Sequence, residues 1–145
     1  MVSLPSIAIL GAGSMGGAIL SGLTGPDVTT DGRIRVTNRT VEKARPLSSA
    51  AVESFALAET PDANLRAASG ARLVLAGVKP VMIPDLLREI APALGSDAIV
   101  VSIAAGVPIA TMEAIVPGVV LRAMPNTPAV IGKAVTGLAA GDRAT

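Results

Sequence analysis

A short aliphatic run, Ile7-Ala-Ile-Leu10, leads straight into Gly11-Ala-Gly-Ser-Met-Gly16, and this junction constrains the fold more than any other stretch of the chain. Four apolar residues ended by a glycine suit a strand buried on both faces. The residues from Met15 to Leu23 suit a helix, which Gly25-Pro26-Asp27 then stops. The glycines match the GxGxxG spacing of a strand-to-helix turn. Gly11 permits the tight turn, Gly13 lets the backbone approach a pyrophosphate, and Gly16 lets the helix pack closely on the sheet. The helix N-terminus brings free N–H groups and the positive end of its dipole to the same point. Three packing glycines in an Ala/Gly-rich chain would match the same spacing. Placement after a buried strand and at the opening of a helix selects the dinucleotide reading.

Further along, strands and helices alternate. Residues 33–37 alternate in polarity behind the turn pair Asp31-Gly32 and read as a second strand. Thr40 can cap a helix starting at Val41, with Pro46 limiting or bending it. Residues 51–55 form a third strand, Pro61 suits the first turn of a short helix reaching residue 68, and residues 72–76 form a fourth strand. A helix over 81–93, a strand over 98–102, a helix over 109–115 and a strand over 119–123 follow. Residues 124–128 read as a loop and residues 134–140 as a last strand. This rhythm predicts a Rossmann-type α/β fold: a doubly wound, mostly parallel sheet with helices on both faces. Residues 1–145 read as one dinucleotide-binding domain, and six or seven strands without a separate substrate domain are expected to be a piece of a larger enzyme.

Composition narrows the chemistry. Half of the 145 residues are hydrophobic and 16% are charged, a globular balance at a length that buries about two-thirds of the unfolded surface. Phe55 is the only aromatic residue, so the core is aliphatic. A net charge of +1 and the lack of Tyr and Trp argue against nucleic acid as a partner. With no Cys there are no disulfides, thiolate nucleophiles or thiolate metal sites, and with no His the commonest metal ligand and acid–base group is missing. No metal is expected, and a cytoplasmic setting fits the absence of cysteine. The first 26 residues carry no charge, yet five glycines between Gly11 and Gly22 and the lack of cationic or aromatic flanks argue against a membrane segment.

The end of the second strand separates the two nicotinamide cofactors. An acid there would bind a ribose 2′-hydroxyl and repel a 2′-phosphate. This sequence has Thr37-Asn-Arg-Thr40 instead. Arg39 can pair with a phosphate, and Asn38 and Thr40 add neutral donors. The competing reading is an ordinary solvated arginine. NADP(H) is favoured, with NAD(H) left open.

At this point the chain resembles the N-terminal domain of the pyrroline-5-carboxylate reductase family, enzymes that reduce a cyclic imine to proline. The likeness runs through the first glycine block and through Val36-Thr-Asn-Arg-Thr40, Ala76-Gly-Val-Lys-Pro80, Val101-Ser-Ile-Ala-Ala-Gly-Val107 and Arg122-Ala-Met-Pro-Asn-Thr-Pro-Ala129. The glycine block is shared by many dehydrogenases. The later blocks, in this order, are the specific ones. The resemblance implies cofactor contacts from Leu10, Gly11, Ala12, Gly13, Ser14, Met15 and Gly16. It places Asn38, Arg39 and Thr40 at the adenosine ribose phosphate and Asn64 on the adenosine side. Gly77, Val78, Lys79 and Pro80, with Ile103, Ala104 and Ala105, would line the pyrophosphate and nicotinamide end.

Two residues carry open chemical roles. Lys79 at a strand's carboxyl end is either a proton source or a solvated lysine, and Asn126 either binds carboxamide or substrate or forms an Asx turn between two prolines. The resemblance implies a small cyclic imino acid as substrate and a homo-oligomer for the complete enzyme. It also implies a C-terminal helical region that forms the dimer and contributes proline-site residues, for which these 145 residues have no counterpart. Two other readings stay open: an NADP reductase of the hydroxyacid or phosphogluconate type, and a non-catalytic dinucleotide-binding module.

Overall fold

A computed structural model describes residues 2–124 and 137–141. Its centre is a seven-stranded sheet built from β2 (Ile7–Leu10), β4 (Ile34–Asn38), β5 (Val52–Ala56), β6 (Leu73–Ala76), β7 (Ile99–Ser102), β8 (Val119–Met124) and β9 (Gly137–Ala140). The spatial order is β5-β4-β2-β6-β7-β8-β9. All pairs are parallel except β8 with β9. The chain starts in the middle, winds outward through β4 and β5, then returns to the other side of β2 through β6. That reversal makes a crevice beyond the carboxyl ends of β2 and β6, the place where such sheets bind ligands.

Aliphatic side chains fill both faces of the sheet. On one face Ile7, Ile9, Ile34, Val36 and Val52 pack with Leu20 of α1 (Ser14–Leu23). On the other, Ala8, Leu10, Val74, Val100 and Val120 pack with α3 (Ala63–Ala68), α4 (Ile83–Ile90) and α5 (Ile109–Glu113). The element α4 shows why: Ile83, Leu86, Leu87 and Ile90 recur at helical spacing, and all four are buried. Together they contribute on the order of 6–12 kcal/mol of apolar burial before chain entropy is subtracted. The doubly wound sheet with helices on both faces is therefore as the sequence predicts.

Several boundaries differ, each for a local reason. The helix expected over 81–93 is tighter at both ends, where Pro80–Met82 and Ala91–Ala93 take single 3-10 turns that contain prolines. Thr40 does cap α2 (Val41–Ala44), its hydroxyl accepting from Lys43 N at 3.4 Å, and a 3-10 turn over Arg45–Leu47 follows at Pro46. Met124, expected to open a loop, is instead the last residue of β8. The rest of that loop, Asn126 included, lies outside the described residues. Of the last expected strand, Gly137–Ala140 is present as β9.

A second, two-stranded sheet was not foreseen. β1 (Val2–Leu4) pairs in parallel with β3 (Val28–Thr30), and Asp31 N donates to Leu4 O at 3.0 Å. Residues 25–32, expected to form only a turn, thus pair the end of the α1 connection with the start of the chain. Three-residue strands are too short for an alternation signal to declare them. Among the described residues no helix is long and apolar enough to cross a membrane.

Candidate nucleotide-binding site

A cavity of about 680 Å³ opens at the crevice between β2 and β6, within the usual range of small-molecule sites. Its floor is two interlocked glycine loops. Gly11 sits at φ +84°, which L side chains rarely adopt. Gly77 N donates to Leu10 O at 2.8 Å, and a Cβ on Gly77 would lie 2.6 Å from Gly11 O. The two loops approach this closely only because both residues are glycine. Gly13, by contrast, faces open space: a Cβ there would meet nothing within 4 Å. It also caps α1 without a side chain, leaving first-turn N–H groups for a ligand.

The structure gathers Gly11, Gly13, Asn38, Arg39, Asn64, Gly77, Val78 and Lys79 around this one cavity. Leu10, Ala12, Met15, Gly16, Thr40 and Pro80 are not part of its lining. Leu10 and Ala12 are core side chains, and Gly16 packs α1 against the Gly11 carbonyl, with 3.0 Å to an ideal Cβ. Ser14 and Met15 lie in α1, Thr40 caps α2, and Pro80 opens a 3-10 turn. Ile103, Ala104 and Ala105 follow β7 outside the cavity lining, where Ser102 Oγ accepts from Ala104 N at 3.2 Å.

The wall at the end of β4 is polar and cationic. Asn38 is buried, and its Nδ2 has no hydrogen-bond partner among the described residues. A buried amide left without an acceptor costs about 1–3 kcal/mol, so the site calls for a ligand acceptor there. Arg39 and Lys43 both line the cavity and are exposed, and neither has an ion-pair partner among the described residues. On the α4 side stand Asp85, paired with Arg88 at 3.0 Å, and Glu89. The lip carries Val81, 83% exposed, and Met82. Cations and a donor thus stand at the end of β4, and aliphatic side chains with two acids come from the segment 81–89. Open space at Gly13 and the orphaned Asn38 amide both fit a dinucleotide.

Sequence reasoning missed Thr37, Lys43 and the apolar lip. Lys43 had a signal: it is the third residue of a helix capped by Thr40, one turn from Arg39. Thr37 had none, since its partner Asn64 is 27 positions away. No group of three or more potential metal ligands occurs among the described residues.

Comparison with known proteins agrees with this geometry. Residues 6–106 match the family described as NADP oxidoreductase coenzyme F420-dependent. The pyrroline-5-carboxylate reductase of Pseudomonas aeruginosa is 35% identical over 139 residues, 94% of this chain and 49% of that protein. A solved pyrroline-5-carboxylate reductase from Coxiella burnetii superposes with a TM-score of 0.80 at 29% identity, over 97% of this chain and 51% of the other. Plasmodium falciparum pyrroline carboxylate reductase, solved with NADP bound, shares the fold with a TM-score of 0.76 at 20% identity, over 97% of this chain and 49% of that one. The resemblance read from the sequence blocks is thus found across nearly the whole chain. The chain spans about half the length of the curated relatives it matches.

Proposed function

This chain belongs to the NADP oxidoreductase coenzyme F420-dependent family, and on that premise we propose that it forms the cofactor-binding part of an enzyme reducing 1-pyrroline-5-carboxylate to L-proline with NADPH. The observation that carries the cofactor assignment is the end of β4. An unpartnered buried amide on Asn38 stands there beside Arg39 and Lys43, and residues 37–41 include no acid of the kind that would bind a ribose 2′-hydroxyl and repel a 2′-phosphate. The substrate assignment is supported by 35% identity to the Pseudomonas aeruginosa enzyme over 139 residues.

In this reading the roles divide along the crevice. Asn38, Arg39 and Thr40 hold the adenosine ribose phosphate, with Asn64 at the adenosine side. The loop from Leu10 to Gly16 and the segment from Gly77 to Pro80 hold the pyrophosphate, and Ile103, Ala104 and Ala105 lie toward the nicotinamide. NADPH supplies hydride to the C=N carbon when bound; the chain orients it and excludes water. An imine nitrogen is more basic than a carbonyl oxygen, so the substrate can arrive protonated. These 145 residues then need supply no His, Cys or Tyr, with Lys79 a supporting cation and not an obligatory acid. Such an enzyme acts in the cytoplasm as a homo-oligomer.

Calorimetric titration with NADPH and NADH tests the cofactor half. The expected result is NADPH bound at least about tenfold tighter, a gap of about 1.4 kcal/mol. Equal affinities would remove the role given to Arg39, and no binding of either would remove the site. The substrate half is tested in the whole protein by NADPH oxidation with 1-pyrroline-5-carboxylate against a panel of 2-oxo acids. Turnover of the oxo acids alone would move the enzyme to the hydroxyacid class.

A further inference from the structure

We infer that Thr37 is a positioning residue: its side chain ties the Asn64 wall of the cavity to the first glycine of the phosphate loop, setting the two ends of a dinucleotide in register. The inference rests on the nucleotide reading of the cavity. Thr37 is buried near the carboxyl end of β4, 1% exposed, and strand alternation turns it away from the face that Ile34 and Val36 fill. That puts its side chain toward α3, where Asn64 sits.

The backbone of Thr37 already holds the loop, its carbonyl accepting from Gly11 N at 3.1 Å and from Ala12 N at 3.0 Å. The side chain adds a second, directional link. Gly11 N also donates to Thr37 Oγ1 at 3.1 Å, and Thr37 Oγ1 donates to Asn64 Oδ1 at 2.7 Å. A hydroxyl has one proton. With that proton committed to Asn64, Oγ1 is left to accept from Gly11, and the direction of the whole chain of bonds is fixed. With Asn64 Oδ1 turned to Thr37, the NH2 on the other side of the amide is the group Asn64 presents to a ligand. Asn64 is 7% exposed and lines the cavity, so an acceptor oxygen of a nucleotide is the partner that suits it. One hydroxyl therefore fixes both the amide orientation of Asn64 and the seat of Gly11.

Thr37→Val keeps the branched shape a strand favours, but it removes the link and leaves Asn64 Oδ1 buried without its donor. Thr37→Ser keeps the hydroxyl. In the 145-residue chain, Thr37→Val is expected to weaken NADPH binding about tenfold, about 1.4 kcal/mol, at unchanged circular dichroism. The fragment 2′,5′-ADP has the adenosine end but no pyrophosphate bridge, so its affinity is expected to fall no more than about threefold. Thr37→Ser restores NADPH binding to within about twofold. A merely structural role for Thr37 would not split the two ligands.

Exchange of the Gly11 amide, followed by NMR without ligand, is expected to quicken at least about fivefold in Thr37→Val and to return in Thr37→Ser. Equal losses for NADPH and 2′,5′-ADP, unchanged NADPH affinity, or unaltered Gly11 exchange would each overturn the inference. Should Thr37→Val not fold, Asn64→Leu removes the acceptor instead and is expected to quicken Gly11 exchange in the same way; unaltered exchange there overturns the link. If the wild-type chain binds neither nucleotide, the cavity reading fails, while the exchange measurement still decides whether the link exists.

Discussion

Gly13→Ala separates folding from cofactor binding at a single methyl group. Gly13 has φ −76° and ψ −150°, an extended conformation open to any L residue, and its ideal Cβ meets nothing within 4 Å. Replacing glycine where the backbone is compatible stabilises by about 0.4–1 kcal/mol through the unfolded chain. Alanine is, however, a poorer helix N-cap than glycine, which costs on the order of 0.5–1 kcal/mol at the start of α1. The two effects offset, so the ligand-free chain is expected to keep its stability within about 0.5 kcal/mol, or roughly 2 °C in Tm. The methyl would occupy the space that a pyrophosphate needs to reach the helix N-terminus. NADPH affinity is expected to fall at least about a hundredfold, about 2.7 kcal/mol. Thermal melts make the contrast visible: NADPH at a hundred times its wild-type Kd stabilises the wild type by about 2.7 kcal/mol, or about 5–10 °C, and Gly13→Ala by no more than about 0.4 kcal/mol, or about 1–2 °C. A ligand-free loss above about 2 kcal/mol would show that Gly13 is a packing glycine after all. Binding retained within about threefold would show that no phosphate passes there.

Gly77→Ala is expected to do the opposite. Its Cβ would sit 2.6 Å from the Gly11 carbonyl oxygen, which is itself held by Gly13 N at 2.9 Å, so backbone and not a side-chain tip must yield. Denaturant unfolding without ligand should register a loss of about 1–3 kcal/mol; a neutral result would mean that the loops are not interlocked. Lys43→Ala is expected to weaken NADPH about fivefold and NADH hardly at all, with a shallower salt dependence for NADPH. Equal weakening of both cofactors would take Lys43 away from the 2′-phosphate. In the whole enzyme, Lys79→Ala is expected to retain turnover within about tenfold, far less than the loss from Gly13→Val; a collapse of kcat at unchanged cofactor affinity would make Lys79 the proton donor.

How much of this was legible in the sequence depends on how local the cause is. The junction from Ile7 to Gly16 could be read because strand, turn and helix start are contiguous, and each imposes a residue type on its own positions. The alternation of α and β elements fixed a parallel sheet for the same reason, since crossover helices such as α4 declare themselves by periodicity. The pairing of β1 with β3 was hidden because three residues of either segment carry no period, and their partners are 26 positions apart in register, Val2 with Val28. Helix ends at Pro80–Met82 and Ala91–Ala93 were blurred because proline starts tight turns as readily as helices. In the site, Arg39 was found by its place after a strand. Thr37 looked like one more β-branched strand residue.

The wall opposite the glycines was the least legible part, and the reason bears on how the site works. Val81, Met82, Asp85, Leu86 and Glu89 line the cavity from one short stretch, yet none belongs to a motif. An amphipathic helix is read for its buried stripe, and the residues between the stripe and solvent are set by whatever faces them. Here Leu86 belongs to the core stripe while Asp85 and Glu89 flank it on the cavity side. The acids therefore line the same cavity as Arg39 and Lys43. With Asp85 paired to Arg88, Glu89 is the acid left to repel a polyanion, while Arg39 and Lys43 attract it, which favours a dinucleotide entering phosphate-first toward β4. Charge reversal tests this ordering more sharply than charge removal. Glu89→Lys is expected to speed NADPH association at low salt and to lose that gain as salt screens it. An association rate indifferent to both the substitution and the salt would show that the α4 acids take no part in orientation.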